Sequence, residues 1–186
     1  MKKLILVTGN KHKYEEIKDI LGKPIKLTQK NLAIEEPDLN TIEDIARYKA
    51  KQAFSKLKKP IIVEDTGVYF SDYKNFPGHL AKRVFEGIGF NGLLALVKAG
   101  KKKQGYFKTI ICYKDKKQEK LFSGIMQGKL LTKLRKEHAD RLPYEKLFVP
   151  KGKNKAISEM SKAEKNKISH RAKATVKLKK FLGGKR

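Results

Sequence analysis

Short runs of apolar, mostly β-branched residues mark two buried strands. Residues 4–7 form one run and residues 61–63 form the other, and neither run shows helical spacing. Runs of this kind are typical of strands that are buried on both faces. A Thr-Gly-Asn turn at 8–10 follows the first run, and Glu-Asp-Thr-Gly at 64–67 follows the second. Polar side chains therefore stand at the carboxyl end of each predicted strand.

Apolar residues at helical spacing predict helices after the first strand and before the second. Tyr14, Ile17, Ile20 and Leu21 share one face of a helix, and a second amphipathic series runs through residues 42–57. Each series ends at a glycine or proline, which are residues that stop helices. The chain therefore begins as a β–α alternation.

Three further helices are predicted from shorter signals. A short apolar series covers residues 91–97. Ser161 and Glu164 have the spacing of a capping box, which predicts a helix start at that point. Ser169 precedes the last apolar series and is expected to be its N-cap residue.

Two β-rich segments predict a hairpin in the middle of the chain. Residues 105–113 and 119–130 flank a polar turn at 115–117. Strands joined by so short a turn are antiparallel, whereas β–α crossovers give parallel neighbours. We therefore predict an α/β fold with a long mixed sheet, and the length of 186 residues suits one domain.

Charge suggests a phosphate-bearing partner. The chain has 45 Lys and Arg against 19 Asp and Glu, a formal net charge of +26. Such a field attracts nucleic acid without any sequence-specific contact. The six arginines are Arg47, Arg83, Arg135, Arg141, Arg171 and Arg186. Since arginine is the preferred residue for bidentate phosphate recognition, an excess of lysine on solvated faces explains the composition equally well.

Cysteine usage and hydropathy exclude several protein classes. Cys112 is the single cysteine, so an internal disulfide is impossible and a reducing cytoplasm is expected. The apolar run at the start is four residues long, too short for a signal peptide, and no run approaches the ~20 residues of a membrane span. Disulfide scaffolds, zinc ribbons and membrane-spanning proteins are excluded.

The first strand–turn–helix corner has the features of a phosphate site. Gly9 allows close backbone approach, Thr8 and Asn10 offer hydrogen bonds, and Lys13 adds charge in the first helical turn. The free amides and the dipole of a helix N-terminus attract anions. The alternative is an ordinary corner in which asparagine caps the helix.

Carboxylates form the second candidate element. Glu64 and Asp65 follow the second strand, and Glu35, Glu36 and Asp38 form the densest acidic cluster of a basic chain. Acidic groups beside a phosphate site fit a bridging Mg²⁺ ion, which binds one or two carboxylates together with substrate phosphates. The alternative is that these are solvated loop charges and a paired surface residue.

The third element lies at the predicted start of the last helix. His170 and Arg171 follow Ser169 there, although cations oppose the dipole at a helix N-terminus. An anion shared by both side chains would reverse that penalty. Taken together, the three elements indicate a polyphosphate substrate with Mg²⁺ as the bridging charge.

These motifs resemble those of the inosine triphosphate pyrophosphatase family, which hydrolyses non-standard purine nucleoside triphosphates. Four segments match in order: residues 8–13, residues 63–67 with 76–78, residues 106–109, and residues 159–171. The resemblance implies a single two-lobed domain over residues 1–186, with a central nucleotide-binding cleft. It also implies a homodimer and Mg²⁺-dependent cleavage of ITP, dITP or XTP between the α and β phosphates, which gives the monophosphate and pyrophosphate.

The resemblance also implies roles for individual residues. The residues to which the resemblance assigns phosphate binding are Thr8, Gly9, Asn10, Lys11, His12 and Lys13. One Mg²⁺ per subunit would be held by Glu36 and Asp65, and Asp65 would also activate the attacking water. The residues to which the resemblance assigns contact with the rest of the substrate are Thr66, Lys82, Tyr144, Glu145, Lys165, His170 and Arg171. His170 and Arg171 would meet the base edge in the family, whereas their place at a helix start favours phosphate, so both roles stay open.

One loop departs from the family pattern. Where the family carries a glycine-rich run with Phe-Gly-Tyr-Asp, this chain reads Arg-Leu-Pro-Tyr-Glu at 141–145. Tyr144 matches and Glu145 stands for aspartate, but Pro143 removes a backbone donor and Leu142 lacks an aromatic ring. Because the family reads the purine with this loop, we expect altered or relaxed base preference.

Two alternatives compete with a purine triphosphate pyrophosphatase. One is a protein of the same fold that has lost turnover and binds RNA or DNA through its basic surface. The other is an enzyme of the same chemistry that acts on a different base, such as a modified pyrimidine.

Overall fold

A computed structural model describes residues 2–35, 37, 39–136 and 142–183 and places seven strands in one sheet. The strands are β1 (Lys2–Val7), β2 (Ile25–Lys30), β3 (Ile61–Phe70), β4 (Pro77–Gly78), β5 (Gln104–Lys114), β6 (Glu119–Leu130) and β7 (Phe148–Pro150). The helices are α1 (Lys11–Leu21), α2 (Ile42–Leu57), α3 (Ala81–Ala99), α4 (Lys162–Ile168) and α5 (His170–Gly183). Short 3₁₀ turns cover Pro143–Leu147 and Ile157–Glu159.

The sheet is mixed, as the sequence predicts. Its strands follow the order β2-β1-β3-β5-β6-β7, and β4 pairs with β3 off this path. β1 pairs in parallel with both β2 and β3, whereas β3–β4 and β6–β7 are antiparallel. The parallel pairs bring the carboxyl ends of β1 and β3 to the same edge, because Val7 is opposite Val63.

The contacts divide the described chain into two compact units. The first unit comprises the described residues of Met1–Thr66, Thr109–Gly124 and Ser169–Arg186. Its core packs α1 and α5 against the sheet, and its fully buried members include Leu6, Ile17, Ile111 and Leu178. Aromatic residues Tyr113 and Phe122 close one side of this core, where both contact the ring of Phe181.

The second unit comprises Gly67–Lys108 and Ile125–Ile168. Its core contains Phe70, Leu93, Leu147 and Phe148, and Phe148 meets Phe107 edge to face at 4.8 Å. Apolar residues thus fill one face of the sheet in this unit, and alternate residues of the same strands point to the opposite face. Within the described residues, no helix is both long enough and apolar enough to cross a membrane.

Several predicted elements are confirmed. The hairpin forms as β5 and β6, and the amide of Asp115 closes its turn by donating to the carbonyl of Gln118 at 3.0 Å. Ser161 and Glu164 exchange capping-box hydrogen bonds of 2.7 and 3.2 Å. The hydroxyl of Ser169 accepts from the amide of Ala172 at 3.0 Å, which makes it the N-cap of α5.

Other predictions were incomplete. The helix expected at 91–97 is the second half of α3, which begins at Ala81 and continues through a break at Gly89. Gly87, Gly89 and Gly92 concealed its length, since glycine weakens a helical pattern. The short strands β2 and β7 were not predicted, although Ile25 and Leu27 of β2 alternate with polar residues.

One glycine sets how closely the last helix approaches the sheet. Gly124 lies on β6 beneath the first turns of α5. A Cβ atom at this position would overlap the carbonyl oxygen of His170 and lie 2.7 Å from the amide nitrogen of Ala174. The absence of a side chain at Gly124 therefore allows the start of α5, and with it Arg171, to lie against the sheet.

Replacing Gly124 with alanine should destabilise the protein. Because the neighbours of the new Cβ are backbone atoms, α5 has to shift, and we expect a loss of about 2–3 kcal/mol in the free energy of unfolding. Urea unfolding measures this loss. Gly87→Ala is the matched control, since no atom lies near its Cβ position and alanine favours a helix by about 1 kcal/mol. A Gly124→Ala variant as stable as the native chain contradicts this account.

Candidate active site

The first corner of the fold, between β1 and α1, presents backbone donors at the edge of the sheet. Asn10 caps α1, with its Oδ1 accepting from the amide of Lys13 at 3.1 Å. The amide of Asn10 donates to the hydroxyl of Thr8 at 3.1 Å, which tightens the turn. Since the first amides of a helix have no intrahelical acceptor, the amides of Lys11 and His12 remain available for an anion.

Glycine is needed at position 9 because a neighbouring side chain lies close to it, and not because of its backbone dihedral angles. A Cβ atom there would lie 3.1 Å from Oδ1 of Asn31, a tighter contact than side chains ordinarily make. The residues predicted for phosphate binding from Thr8 to Lys13 therefore share one compact turn and the first turn of α1. Their contact with phosphate stays a prediction.

Glu64 is a buried anion at the carboxyl end of the parallel strands. Its side chain is fully buried, and Oε1 accepts from Nε of Arg171 at 2.9 Å and from the hydroxyl of Thr66 at 2.6 Å. Its Oε2 lies 2.5 Å from Nζ of Lys13. Burial alone would raise the pKa of Glu64, but the charges of Arg171 and Lys13 and these hydrogen bonds hold it well below its usual range. Glu64 is therefore ionised and fixed in place.

Arg171 connects Glu64 to a second buried acid. Its Nη1 lies 2.5 Å from Oε2 of Glu16, and the arginine is 3% exposed. Burial lowers the pKa of a guanidinium, but the two carboxylates more than compensate and raise the pKa of Arg171 further. In this structure the arginine binds protein carboxylates, and whether it also meets a base or a phosphate stays a prediction. His170, its neighbour, is buried at the start of α5.

Asp65 differs from the adjacent Glu64 in its charged partners and in the direction of its pKa shift. Its Oδ1 lies 3.1 Å from Nζ of Lys49, while its Oδ2 is buried and has no hydrogen-bond partner among the described residues. Burial raises the pKa of Asp65, and the charges of Lys49 and Lys13 only partly oppose this effect. Asp65 thus presents a buried carboxylate oxygen that no described group satisfies.

The donor set fits a hard cation in part. No group of three or more His, Cys, Asp or Glu among the described residues could hold a metal. The other predicted ligand, Glu36, lies outside the described residues, although Glu35 before it is held to α2 by hydrogen bonds with Gln52 at 3.4 Å. Mg²⁺ needs only one or two carboxylates when substrate phosphates supply further oxygens. The unsatisfied Oδ2 of Asp65 fits that requirement.

The other predicted substrate residues lie in the second unit. Lys165 forms a buried ion pair with Glu145 at 2.7 Å, and the hydroxyl of Tyr144 donates to the carbonyl of Ala81 at 2.8 Å. Burial raises the pKa of Tyr144, so its hydroxyl remains a donor. Lys82 is largely exposed at the start of α3 and pairs with Glu86 at 3.6 Å. The structure thus brings Tyr144, Glu145 and Lys165 into buried contacts but leaves Lys82 at the surface.

Sequence reasoning missed three residues that shape this site. Glu16 shares α1 with Ile17 and is 6% exposed, and a buried acid on an apolar helix face was the signal that could have revealed it. Lys49 was assigned to the buried face of α2, but its partner Asp65 was not recognised. The hydroxyl of Thr109 on β5 lies 2.6 Å from that of Thr66, and nothing in the sequence indicated this contact.

A helix N-terminus beside a buried, charge-paired glutamate and an unsatisfied aspartate defines an α/β protein with a candidate site at one sheet edge. Residues 4–181 match the Ham1 family, and the chain belongs to this family. The resemblance to the inosine triphosphate pyrophosphatases that the motifs indicated is thereby confirmed.

Relatives match over nearly their whole length. The chain is 36% identical to a protein of Hyperthermus butylicus named dITP/XTP pyrophosphatase, over 96% of this chain and 94% of the relative. A protein of the same name from Saccharolobus solfataricus is 32% identical over 97% of this chain and 93% of the relative. The solved structure of the Staphylococcus aureus Ham1 protein superposes with a TM-score of 0.85 at 21% identity, covering 100% of both chains. That structure shows the shared fold.

Removing Arg171 should expose how much the buried network contributes to stability. Arg171→Met leaves Glu16 and Glu64 without their shared cation, and we expect a loss of about 3–5 kcal/mol in the free energy of unfolding near pH 7. The control is Arg47→Met, which removes an exposed pair with Glu119 and should change stability by less than about 1 kcal/mol.

The pH dependence of that loss identifies its cause. In the native chain the lowered pKa of Glu64 stabilises the fold above the unfolded pKa, and this stabilisation is lost as pH falls through the folded pKa. Arg171→Met removes the charge that most strongly opposes the effect of burial on the pKa of Glu64. As pH falls, Glu64 of the variant becomes protonated, which removes the cost of a buried charge that lacks its arginine partner. The difference between native and variant chains should therefore shrink from pH 7 toward about pH 5. A difference that grows over this range contradicts the proposed cause.

Proposed function

We propose that this chain is a hydrolase that converts ITP, dITP and XTP to the nucleoside monophosphate and pyrophosphate in the presence of Mg²⁺. The observation that carries the proposal is Asp65, a carboxylate with a raised pKa and an unsatisfied buried oxygen beside two lysines. The names of the relatives, dITP/XTP pyrophosphatase, agree with this substrate class.

The phosphates are bound by the start of α1. The amides of Lys11 and His12 and the hydroxyl of Thr8 offer donors, and the helix dipole adds a partial positive charge. The side chain of Lys13 is 22% exposed although it pairs with Glu64, so its ammonium group can also contact an anion from the same position. These groups place the triphosphate chain by charge and hydrogen bonding.

Asp65 acts on the metal and on the water. Asp65 and Glu36 would hold Mg²⁺, which would supply charge neutralisation at the phosphates. A water molecule attacks, the bond between the α and β phosphates breaks, and pyrophosphate leaves with the electron pair of that bond. Asp65 accepts the proton of the water directly or through one further water. The charge of Lys49 partly opposes the rise in the pKa of Asp65 that burial causes, and so favours the ionised carboxylate.

Glu64 and Arg171 position this chemistry without reacting. Because Glu64 is fixed by Arg171, Lys13 and Thr66, the backbone that leads into Asp65 is fixed as well. Positioning of this kind lowers the entropic part of the barrier, and positioning together with electrostatic stabilisation accounts for most of the catalysis of phosphoryl transfer.

The loop that contacts the base differs in sequence from the family pattern. Pro143 opens a 3₁₀ turn in which Tyr144 and Glu145 are buried, and Leu142 is 44% exposed just before it. The side chains of Tyr144 and Glu145 are held by Ala81 and Lys165, so they form a fixed wall. We infer a base preference that is relaxed relative to relatives with an aromatic residue in this loop.

Assembly and compartment follow from resemblance and cysteine usage alone. The family resemblance suggests a homodimer, and the single cysteine suggests the reducing cytoplasm. Cys112 is fully buried, and burial raises the pKa of its thiol to about 12, so it is inert toward disulfide exchange.

Asp65→Asn tests the proposed reaction. The amide neither binds Mg²⁺ well nor accepts a proton, so pyrophosphate release from ITP should fall by at least about a hundredfold. The assay measures pyrophosphate and the corresponding nucleoside monophosphate with Mg²⁺ across ITP, dITP, XTP, the standard triphosphates and modified pyrimidine triphosphates. Asp19→Asn, an exposed change on α1, is the control and should retain full activity. Orthophosphate as the first product, or full activity of Asp65→Asn, contradicts the proposal.

Lys49→Met tests the charge that favours the ionised form of Asp65. Loss of the ammonium group 3.1 Å from Oδ1 raises the pKa of Asp65 further. Because the ionised form is the active one, the acid limb of the kcat/KM profile should move to higher pH. Lys51→Met, an exposed neighbour on α2, should leave the limb in place. An unchanged limb in Lys49→Met, or a shift to lower pH, argues against this role.

A further inference from the structure

The second unit has a sheet face that is separate from its apolar core. Val68, Phe107 and Met126 point into the core, so the residues between them point the other way. The residues that alternate with the core on this side are Tyr69, Tyr106, Lys108, Ile125, Gln127 and Lys129, and we call this surface the open face. All six are half-buried or exposed, and Ile125 is 43% exposed.

Two tyrosine rings stack face to face on the open face, and we call this stack the platform. Tyr69 on β3 and Tyr106 on β5 stack with ring centroids 4.7 Å apart and planes only 9° from parallel. A stacked pair on a sheet surface offers a further aromatic ring a surface on which to stack, and every nucleobase has such a ring.

Lysines surround this platform. A groove of about 670 Å³ runs past Tyr106 and is bordered by Lys102, Lys129, Lys151 and Lys153, and no acidic residue lines it. All four lysines are exposed, and none takes part in the ion pairs found among the described residues. The groove therefore combines an aromatic surface with an excess of positive charge, although Asp72 lies near Lys102.

The basic groove continues beyond the platform. A second groove of about 510 Å³ shares Gly152 and Lys153 with the first and extends past Lys155 and Lys167; Glu164 also lines it and pairs with Lys155 at 3.3 Å. The amide of Lys151 donates to Gln127 and that of Lys153 to Pro150, so the connecting turn is fixed to the sheet. An extended, continuous groove suits a chain of phosphates better than a single nucleotide.

We propose that the open face and its groove bind single-stranded nucleic acid, with bases stacked on Tyr106 and phosphates along the lysines. Aromatic platforms flanked by positive grooves are how proteins bind single strands without sequence preference. A second copy of this chain is disfavoured there, because a two-fold contact would place these lysines against each other with no lining acid to pair them. The proposal is independent of the hydrolase activity and of Asp65.

The test is fluorescence anisotropy of the full chain with a labelled oligothymidylate about 12 nucleotides long. Three lysines of the groove are replaced together. The comparison is an equal loss of charge at three exposed lysines of the first unit. The two triple variants are Lys129→Gln/Lys151→Gln/Lys153→Gln and, as control, Lys23→Gln/Lys26→Gln/Lys59→Gln. The first should weaken binding roughly tenfold or more at low salt and reduce the slope of log Kd against log salt by about 2, and the control should not.

Tyr106 separates stacking from charge. Tyr106→Ala should weaken binding by roughly tenfold, whereas Tyr106→Phe, which retains the ring, should bind as the native chain does. Equal effects of the two triple variants, or native binding by a folded Tyr106→Ala, overturn the proposal. It is also overturned if light scattering shows that native chains pair through this face, with Tyr106→Ala becoming monomeric, and the native dimer does not bind the oligonucleotide. Asp65→Asn should bind the oligonucleotide like the native chain.

Discussion

The buried carboxylate of Glu64 is the group on which the arrangement of the site depends. An ionised carboxylate without solvent is unfavourable unless cations and hydrogen bonds compensate it. Arg171 and Lys13 supply the charge, and Thr66 supplies a hydroxyl. These partners come from α5, from α1 and from β3 itself, so one anion links the elements of the first unit at the sheet edge. Gly124 makes this possible by letting α5 lie close to β6.

As a consequence, the adjacent acids Glu64 and Asp65 have different roles. Glu64 has its oxygens held by protein cations and a pKa well below the usual range, so it is not free to accept a proton. Asp65 has one oxygen beside Lys49, one buried oxygen without a described partner, and a raised pKa. Two carboxylates with pKa values displaced in opposite directions are a common feature of sites that move protons. The fixed acid makes the position of the second one reproducible.

The sequence predicted those parts of the site that depend on local signals. The turn after β1, the acids at 64 and 65 and the N-cap at Ser169 all follow from neighbouring residues, although β3 continues through these acids to Phe70 and does not end at Val63 as the pattern predicted. The partners of Arg171 did not follow, because Glu64 is 107 and Glu16 is 155 residues away along the chain. A cation at a helix start suggested an external anion, whereas the fold supplies buried anions of its own. Pairing across such distances depends on packing, which periodicity does not encode.

The most direct test of this account is the titration of Glu64 and Asp65 themselves. Carbon-13 NMR of the side-chain carboxyls, with Glu64→Gln and Asp65→Asn to assign the signals, reports both pKa values in the native chain. The account predicts that Asp65 titrates above its ordinary value while Glu64 remains ionised through the same pH range. If Glu64 instead takes up the proton first as the pH is lowered, the assignment of a fixed and a working carboxylate is contradicted.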